Sequence, residues 1–231
     1  MTNVVARYEE LLAAGELRED ADQRTAVERL AQVQEALEDH SAPGLLARLR
    51  GRKSEPVRGL YMWGGVGRGK SMLMDLFFEC LAIERKRRVH FHAFMLEVDK
   101  MIGEERKKQQ EGPVRRVAAR IAEDVRCLAF DEMVVNNTAD AAIMARLFTP
   151  LIEDHGVTIV TTSNRPPHDL YKDGLNRSLF IPFIELIERK LDTLSLDGPT
   201  DYRLDRLAGL ETWHTPLGDA ATAQVREAFF R

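Results

Sequence analysis

Residues 64–71 read Gly-Gly-Val-Gly-Arg-Gly-Lys-Ser, and this octet decides the fold class that the sequence predicts. It satisfies the pattern Gly-x-x-x-x-Gly-Lys-[Ser/Thr], the loop that holds nucleotide phosphates in P-loop proteins. The glycines let backbone N–H groups turn inward around the phosphates, and Lys70 adds a positive charge for the β- and γ-phosphates. Ser71 offers a hydroxyl to Mg²⁺ at the start of a predicted helix, whose N-terminal dipole also favours an anion.

The residues on either side of the loop fit this interpretation. Residues 57–63 are typical of a short strand, and residues 72–78 are apolar on most faces, as expected of a helix packed on a sheet. A strand, a glycine-rich loop and a buried helix are the setting in which this motif binds phosphate. The predicted nucleotide-binding residues are Gly64, Gly65, Val66, Gly67, Arg68, Gly69, Lys70, Ser71 and Met72.

The composition is that of an ordinary globular protein. The chain has 231 residues, of which 44% are hydrophobic and 30% charged. The net charge of −4 gives no overall attraction for nucleic acid, and we interpret the basic clusters 85–88, 106–108 and 115–116 as solvated faces. Cys80 and Cys127 lie in apolar stretches and are predicted to be buried, reduced thiols.

Targeting signals are not evident in the sequence. The chain starts with polar and acidic residues, unlike a secretory signal, and no apolar run reaches the length needed to span a bilayer. We therefore expect a cytoplasmic protein, with peripheral association at the inner membrane left open.

Apolar and polar segments alternate along the chain in a way that predicts an α/β fold. Strands are predicted at 57–63, 88–94, 125–130, 157–162 and 191–196. Helical patterns lie between them, which indicates a P-loop NTPase of the AAA+ type, with a parallel sheet covered by helices on both faces.

The predicted division of the chain has three parts. Residues 1–50 form an N-terminal helical segment and residues 51–200 the P-loop ATPase core, with a linker at 51–56. The charged stretch 103–116 contains Gly-Pro and is predicted to be a surface excursion. Residues 201–231 are predicted to begin a C-terminal helical lid that is truncated here.

Two carboxylates end the third predicted strand. In P-loop enzymes an Asp at such a strand tip holds Mg²⁺, which is the role we assign to Asp131. The adjacent Glu132 projects differently and is predicted to be the general base for the attacking water. Small GTPases orient water with Gln instead, so the Glu favours an ATP hydrolase with an additional strand in its sheet.

The fourth predicted strand, 157–162, runs into Ser163 and Asn164. If this strand neighbours the Asp131 strand, the Asn164 amide can hydrogen-bond the γ-phosphate and the attacking water. The alternative is an ordinary strand-ending turn before Arg165, which also suits Asn.

A further cation is needed for the charge that develops on the transferred phosphoryl group. The candidates are Arg165, Arg177 and Arg189. We favour Arg177, which lies at a polar edge before an apolar helix, where it could reach the nucleotide of a neighbouring subunit. The alternative is a surface arginine in an ordinary turn. His90 and His92 are predicted on one strand face, but no third zinc ligand is evident, so we interpret them as structural.

These motifs together resemble the ZapE family of bacterial cell-division ATPases and its mitochondrial AAA+ relatives. The resemblance is carried by residues 59–71, 88–95, 130–132, 162–167, 169–177 and 196–203. It implies an ATPase that uses ATP and Mg²⁺, assembles into homo-oligomers and acts on a protein partner of the division machinery, the tubulin-like protein FtsZ. It also implies that Gln23 lies near the adenine.

The sequence departs from the family at two places. Residues 133–138 differ from many members, and the family usually continues well past residue 231, where the lid would follow; no role is assigned to Arg203.

Other functions remain open at this stage. One alternative is a helicase-loader-like ATPase that binds single-stranded nucleic acid through the basic clusters. The others are a small-molecule kinase, with Glu132 facing a substrate hydroxyl, and a nucleotide-sensing module with negligible turnover. We expect hydrolysis coupled to a protein partner, and we do not expect nucleic acid as a partner.

Overall fold

The computed structural model describes residues 3–40 and 56–198, together with Thr222 and Arg226. Met1–Gly198 is one compact unit and Pro199–Arg231 is another. Residues 41–50 of the predicted N-terminal segment, the linker residues 51–55, Arg203 and the predicted lid at 201–231 lie outside the described residues, apart from Thr222 and Arg226, which are helical. The division at residues 50 and 200 therefore stays a prediction.

Seven helices and five strands make up the described part of the first unit. The helices are α1 (Val4–Ala13), α2 (Ala21–His40), α3 (Lys70–Cys80), α4 (Phe91–Lys107), α5 (Pro113–Asp124), α6 (Thr138–Thr149) and α7 (Ile181–Lys190). The strands are β1 (Gly59–Trp63), β2 (Lys86–His90), β3 (Cys127–Asp131), β4 (Thr158–Ser163) and β5 (Leu191–Ser195). A π turn, Pro150–Asp154, continues α6, and 3₁₀ turns form at Pro167–Asp169 and Arg177–Leu179.

The five strands form one parallel sheet in the order β2-β3-β4-β1-β5. Strand β4 therefore lies between β1, which leads into the phosphate loop, and β3, which ends in Asp131. Trp63 pairs with Ser163, and Phe130 pairs with Thr161. The condition on which the interpretation of Asn164 depends, that β3 and β4 are neighbours, is therefore met, and the predicted parallel α/β fold is confirmed.

Helices cover both faces of the sheet, because alternate strand residues point to opposite sides. Leu60 and Met62 belong to the core beneath α1, α2 and α3. Tyr61 belongs to the core beneath α4 to α7, where Phe130 packs edge-on against Phe91 and Phe94. Strand β1, which leads to the phosphate loop, contributes side chains to both cores. Helices therefore pack against this strand from both faces of the sheet.

The predicted strand at 88–94 is wrong in its second half. Strand β2 ends at His90 and α4 begins at Phe91. Phe91, Phe94, Met95 and Val98 are buried at the three- and four-residue spacing of a helix face, and burial of this face outweighs the strand-like alternation of 90–94. His90 therefore caps a helix that contains His92, and the two do not share a strand face.

The predicted surface excursion at 103–116 is also wrong. Helix α4 continues to Lys107, and α5 starts at Pro113, so only the turn between them is irregular. Gly112, with φ of 66°, and Pro113 start α5 rather than a loop.

The two cysteines are unpaired. Cys127 is buried in β3, and burial raises the pKa of its thiol to about 12. Cys80, at the end of α3, is only half-buried, so the predicted burial is wrong for this residue. Within 3–40 and 56–198, no helix combines the length and the apolar character needed to cross a bilayer.

An ion cluster joins α4 to α5 around Glu105, whose side chain is 3% exposed. Lys108 Nζ donates to Glu105 Oε1 over 2.6 Å, and Arg116 Nε donates to Oε2 over 2.8 Å. These hydrogen bonds lower the pKa of Glu105 from 4.5 to about 2. The cluster therefore stabilises the turn 108–112 only while Glu105 is ionised.

Replacing Glu105 by Gln should make the stability of the protein less dependent on acid pH. The folded carboxylate has the lower pKa, so its stabilising effect is complete above about pH 5 and is lost as the pH falls toward about 2. In urea unfolding, the difference in free energy of unfolding between parent and Glu105→Gln should shrink steadily over this range. The exposed neighbour Glu104→Gln serves as the control, and an unchanged difference for Glu105→Gln at pH 3 would contradict the assignment.

Candidate functional site

The phosphate loop connects β1 to α3 with its backbone turned inward. Gly64, Gly67 and Gly69 have φ of 149°, 82° and 83°, which side-chain-bearing residues rarely adopt. A Cβ on Gly64 would lie 2.2 Å from the carbonyl oxygen of Leu196, so only glycine fits there. A glycine-rich loop of this kind can turn its backbone N–H groups toward an anionic phosphate.

Two cationic side chains of the loop reinforce this fit. The Lys70 ammonium donates to the carbonyl oxygens of Gly64 and Gly65 over 2.8 and 2.6 Å, which places it inside the curve of the loop. Arg68 has two guanidinium nitrogens, Nε and Nη1, that are buried without a hydrogen-bond partner among the described residues. Since a buried donor without an acceptor is costly, an anion at this loop would be stabilised by both residues.

The N-terminal helices contact the loop directly. Gln23 of α2 is buried, and its Nε2 donates to the carbonyl oxygen of Arg68 over 3.3 Å. A Cβ on Gly69 would lie 2.7 Å from the same Nε2. The predicted position of Gln23 near the adenine stays a prediction, but its contact with the phosphate loop places it at the edge of the site.

Asp131 is held by Arg88. The Arg88 guanidinium donates from Nε to Asp131 Oδ2 over 2.7 Å and from Nη2 to Oδ1 over 3.1 Å. Its Nη1 donates to Asp75, one helical turn beyond Ser71 on α3. The Arg88 side chain is 23% exposed, which corrects the interpretation of 85–88 as a solvated basic face. Arg88 therefore connects the strand that ends in Asp131 to the helix that carries Ser71.

The oxygen atoms of this region suit a hard divalent cation. Ser71 supplies a hydroxyl and Asp131 a carboxylate, the ligand types that Mg²⁺ takes together with phosphate oxygens. Asp131 is 8% exposed and Arg88 binds both of its oxygens, so a bound Mg²⁺ would displace Arg88 or share the carboxylate with it. The residues predicted to hold Mg²⁺ thus fit that ion chemically.

Glu132 and Asn164 follow neighbouring strands. Glu132 comes directly after β3 and Asn164 directly after β4, and both side chains are exposed at the carboxyl edge of the sheet. The phosphate loop follows β1, on the other side of β4. Three consecutive strands of the sheet therefore end in the phosphate loop, the Asn164 turn and the Asp131–Glu132 pair.

Arg177 lies in a different part of the unit, on a loop before α7. Its guanidinium donates to the carbonyl oxygens of His168 and Lys172 over 2.6 and 3.2 Å, so it is folded against its own loop. Leu175 and Leu179 on either side are 73% and 53% exposed. The other two candidates differ: Arg189 pairs with Glu153, whereas Arg165 is exposed beside Asn164.

Sequence reasoning missed the supporting residues of the site. Arg88 was hidden in a run of four basic residues, and only its alternation with Arg87 along β2 could have indicated that it points inward. Thr162 and Ser163 were read only as the polar end of a strand, although both are buried and bonded to the neighbouring turn.

Removing the Arg88 guanidinium should destabilise the fold. Arg88→Met leaves the largely buried Asp131 carboxylate without its cation, and we expect a loss of about 1–3 kcal/mol in the free energy of unfolding. Arg87→Met is the matched control, because Arg87 pairs with exposed Glu97 and should cost about 1 kcal/mol or less. Urea denaturation measures both, and equal costs would show that Arg88 acts as an ordinary surface arginine.

The comparisons with known proteins agree with this geometry. A family profile described as AFG1-like ATPase matches residues 2–231. The chain is 40% identical over 232 residues to the cell division protein ZapE of Escherichia coli K12, covering 95% of this chain and 61% of that protein. It is 35% identical over 253 residues to lactation elevated protein 1 homolog B of Danio rerio, covering 87% and 50%.

Solved structures share the fold at low sequence identity. The crystal structure of DnaI matches with a TM-score of 0.52 and 14% identity, covering 81% of this chain and 88% of that one. AMPPCP-bound DnaA from Aquifex aeolicus matches with a TM-score of 0.51 and 18% identity, covering 92% and 61%. These likenesses concern the fold alone, and they agree with the predicted α/β fold.

The chain spans between half and three fifths of the length of these curated relatives. The identity to ZapE confirms the resemblance predicted from the motifs, and the matched profile includes the phosphate loop, β3 and β4. The chain belongs to the AFG1-like ATPase family.

Proposed function

We propose that this chain is the ATP-hydrolysing module of a protein that uses Mg²⁺ and ATP to remodel a protein partner. The observation that carries the proposal is the position of β4 between β1 and β3. It brings the phosphate loop, Asn164 and the Asp131–Glu132 pair to one edge of the sheet. A phosphate-binding loop combined with a carboxylate pair and an amide at neighbouring strand tips is suited to hydrolysis.

Each residue then has a defined role. The N–H groups of residues 65–69 and the Lys70 ammonium bind the β- and γ-phosphates, and Ser71 and Asp131 hold Mg²⁺, which neutralises phosphate charge when bound. Glu132 accepts a proton from the attacking water, and Asn164 orients that water and the γ-phosphate. Glu132 and Asn164 are both exposed, so water and a nucleotide can reach them.

The partner proposal rests on the relatives. The Escherichia coli relative is named a cell division protein, and we propose a partner in the division machinery, with FtsZ as the first to test. Pelleting of FtsZ polymers with and without this chain and ATP tests that choice: ATP-dependent change in the pelleted fraction supports it, and no change opposes it. Cytoplasmic location and peripheral association with the inner membrane stay predictions.

Nucleic acid is not favoured as the partner. Some cations of the basic clusters that the alternative would use are engaged within the protein: Arg87 pairs with Glu97, Arg115 with Asp154 and Arg116 with Glu105. A groove that binds single strands needs cations free to face the backbone.

Phosphate release from ATP without an added acceptor would separate hydrolysis from the small-molecule kinase alternative.

Two substitutions should separate nucleotide binding from hydrolysis. Lys70→Ala should abolish the heat of binding of a non-hydrolysable ATP analogue with Mg²⁺, because the phosphates lose their lysine. Glu132→Gln should bind the analogue like the parent but release phosphate about 10²- to 10⁴-fold more slowly, since only the base is removed. Glu104→Gln, which alters an exposed carboxylate on α4, is the control for both assays.

Calorimetry on the parent decides the proposal as a whole. Absence of binding heat with millimolar Mg²⁺ and excess ATP analogue would overturn it, and hydrolysis by Glu132→Gln at the parent rate would overturn the assignment of the base.

Arg177 is proposed to act on the nucleotide of a neighbouring subunit. Its loop is fixed, because the Tyr171 hydroxyl donates to the carbonyl oxygen of Leu175 over 2.8 Å and lies 3.0 Å from the Thr138 hydroxyl. Exposed Leu175 and Leu179 beside it are suited to burial against a second copy of the chain. To reach a neighbouring nucleotide from this apolar surface, the Arg177 guanidinium would exchange its bonds to the His168 and Lys172 carbonyl oxygens for the phosphate.

Mixing two inactive variants tests this action in trans. Arg177→Ala should lower phosphate release by about 10³-fold or more, and addition of Lys70→Ala protein, which keeps Arg177, should restore part of it. Parent activity per molecule should rise with protein concentration. Arg189→Ala is the matched control and should stay near the parent, because Arg189 pairs with Glu153. Lack of any recovery in the mixture, over a range of ratios, would count against trans action.

A further inference from the structure

The backbone of Glu132 has a conformation that its residue type does not favour. Its φ is 54°, in the left-handed region that residues other than Gly, Asn and Asp seldom enter. Such a conformation persists only where the surrounding structure holds it. Because the turn follows a buried strand, the groups that hold it are expected on the neighbouring strand β4.

Thr162 of β4 holds the amide groups of this turn. The Glu132 N–H donates to the Thr162 hydroxyl over 3.0 Å, and the Met133 N–H donates to the Thr162 carbonyl oxygen over 2.7 Å. Thr162 is 1% exposed, so water does not substitute for these bonds. The direction in which the Glu132 side chain leaves the sheet is therefore set by a residue on another strand.

Ser163 joins the same turn to the Asn164 turn. Its hydroxyl donates to the Met133 carbonyl oxygen over 2.9 Å and accepts from the Arg165 N–H over 3.2 Å. On the far side, the Tyr61 hydroxyl of β1 donates to the Arg165 carbonyl oxygen over 2.8 Å. Burial raises the pKa of Tyr61, so its phenol stays a donor. Asn164 therefore lies between Ser163 and Arg165, which are both held by hydrogen bonds.

We propose that Thr162 and Ser163 are positioning residues for hydrolysis, forming a hydroxyl clasp. The clasp fixes the Glu132 carboxylate relative to the Asn164 amide, so that the turn carrying the base and the turn sensing the γ-phosphate move as one body. This inference rests on the proposed function, since it assumes that Glu132 is the base. Catalysis by a base depends on its placement to within about an ångström, whereas binding of the nucleotide through the phosphate loop does not involve the clasp.

A purely structural role is the alternative, because buried hydroxyls usually find partners. Strand β4 offers an internal comparison at its other end. Thr158 is also 1% exposed, and its hydroxyl donates to the Val57 carbonyl oxygen over 3.3 Å, away from the carboxyl edge of the sheet. If the hydroxyls of β4 serve only the fold, Thr158 and Thr162 should respond alike to loss of the hydroxyl.

The test compares Thr162→Val with Thr162→Ser and Thr158→Val. In the protein without nucleotide, Thr162→Val should raise the amide exchange rate of Glu132 about tenfold, since its acceptor is gone. With Mg²⁺ and ATP, kcat should fall about 10- to 100-fold, while KM stays within about twofold of the parent. Thr162→Ser, which keeps the hydroxyl, and Thr158→Val should match the parent in all three measurements.

The outcomes separate this inference from the proposed function. Parent-like amide exchange and kcat in Thr162→Val would overturn the clasp, even if Glu132→Gln is inactive. Equal hydrolysis by parent and Glu132→Gln would overturn the assigned base, and the amide exchange would still report on the clasp. Should Thr162→Val fail to fold, Ser163→Ala decides: it should lower kcat without raising KM, and parent-like kcat in that variant would refute the proposal.

Discussion

Parallel pairing of β4 with both β1 and β3 is the constraint on which the site depends. In a parallel sheet, the carboxyl ends of all strands meet at one edge, and the register sets how far each protrudes. Trp63 stands level with Ser163, and Phe130 stands level with Thr161, so the strand tips are nearly flush. A shift of one residue in either pairing would move every side chain of that strand to the opposite face. The two hydrophobic cores stabilise the register of these strands, and they therefore also stabilise the positions of the site residues at the strand ends.

Two charged side chains at this edge of the sheet have hydrogen-bond partners within the protein. Lys70 is bound by carbonyl oxygens of its own loop, and Asp131 is bound by Arg88. Bare charges at such buried positions would be costly. At Lys70 and Asp131, a nucleotide with its metal ion would exchange partners with these groups, so its binding would reorganise existing hydrogen bonds. Because Arg88 also contacts Asp75 on α3, that reorganisation would extend from the Asp131 carboxylate to the helix that follows the phosphate loop.

The sequence predicted those parts of the candidate site whose residues are adjacent to one another in the chain. The phosphate loop and the Asp131–Glu132 pair each follow a strand, and both patterns are local. Prediction was wrong at 88–94, where the helical spacing of Phe91, Phe94 and Met95 overlaps an alternating strand pattern. The left-handed backbone of Glu132 could not be predicted, because Glu does not favour it and its cause, Thr162, lies 30 residues away. Non-local contacts of this kind have no periodic signal.

Two buried glutamines of α2 add polar contacts to the apolar packing of the N-terminal helices against the sheet and α3. Gln23 contacts the carbonyl oxygen of Arg68 before α3, and Gln34 contacts the carbonyl oxygen of Cys80 at its end. Gln23 and Gln34 are 11 positions apart on α2, and α3 is 11 residues long. The two glutamines are therefore separated by about the length of α3. Helix α2 therefore forms hydrogen bonds with the chain at both ends of α3. Loss of these bonds would leave buried amide groups unsatisfied. A movement of the phosphate loop would change the Gln23 contact directly, whereas the Gln34 contact lies at the far end of α3.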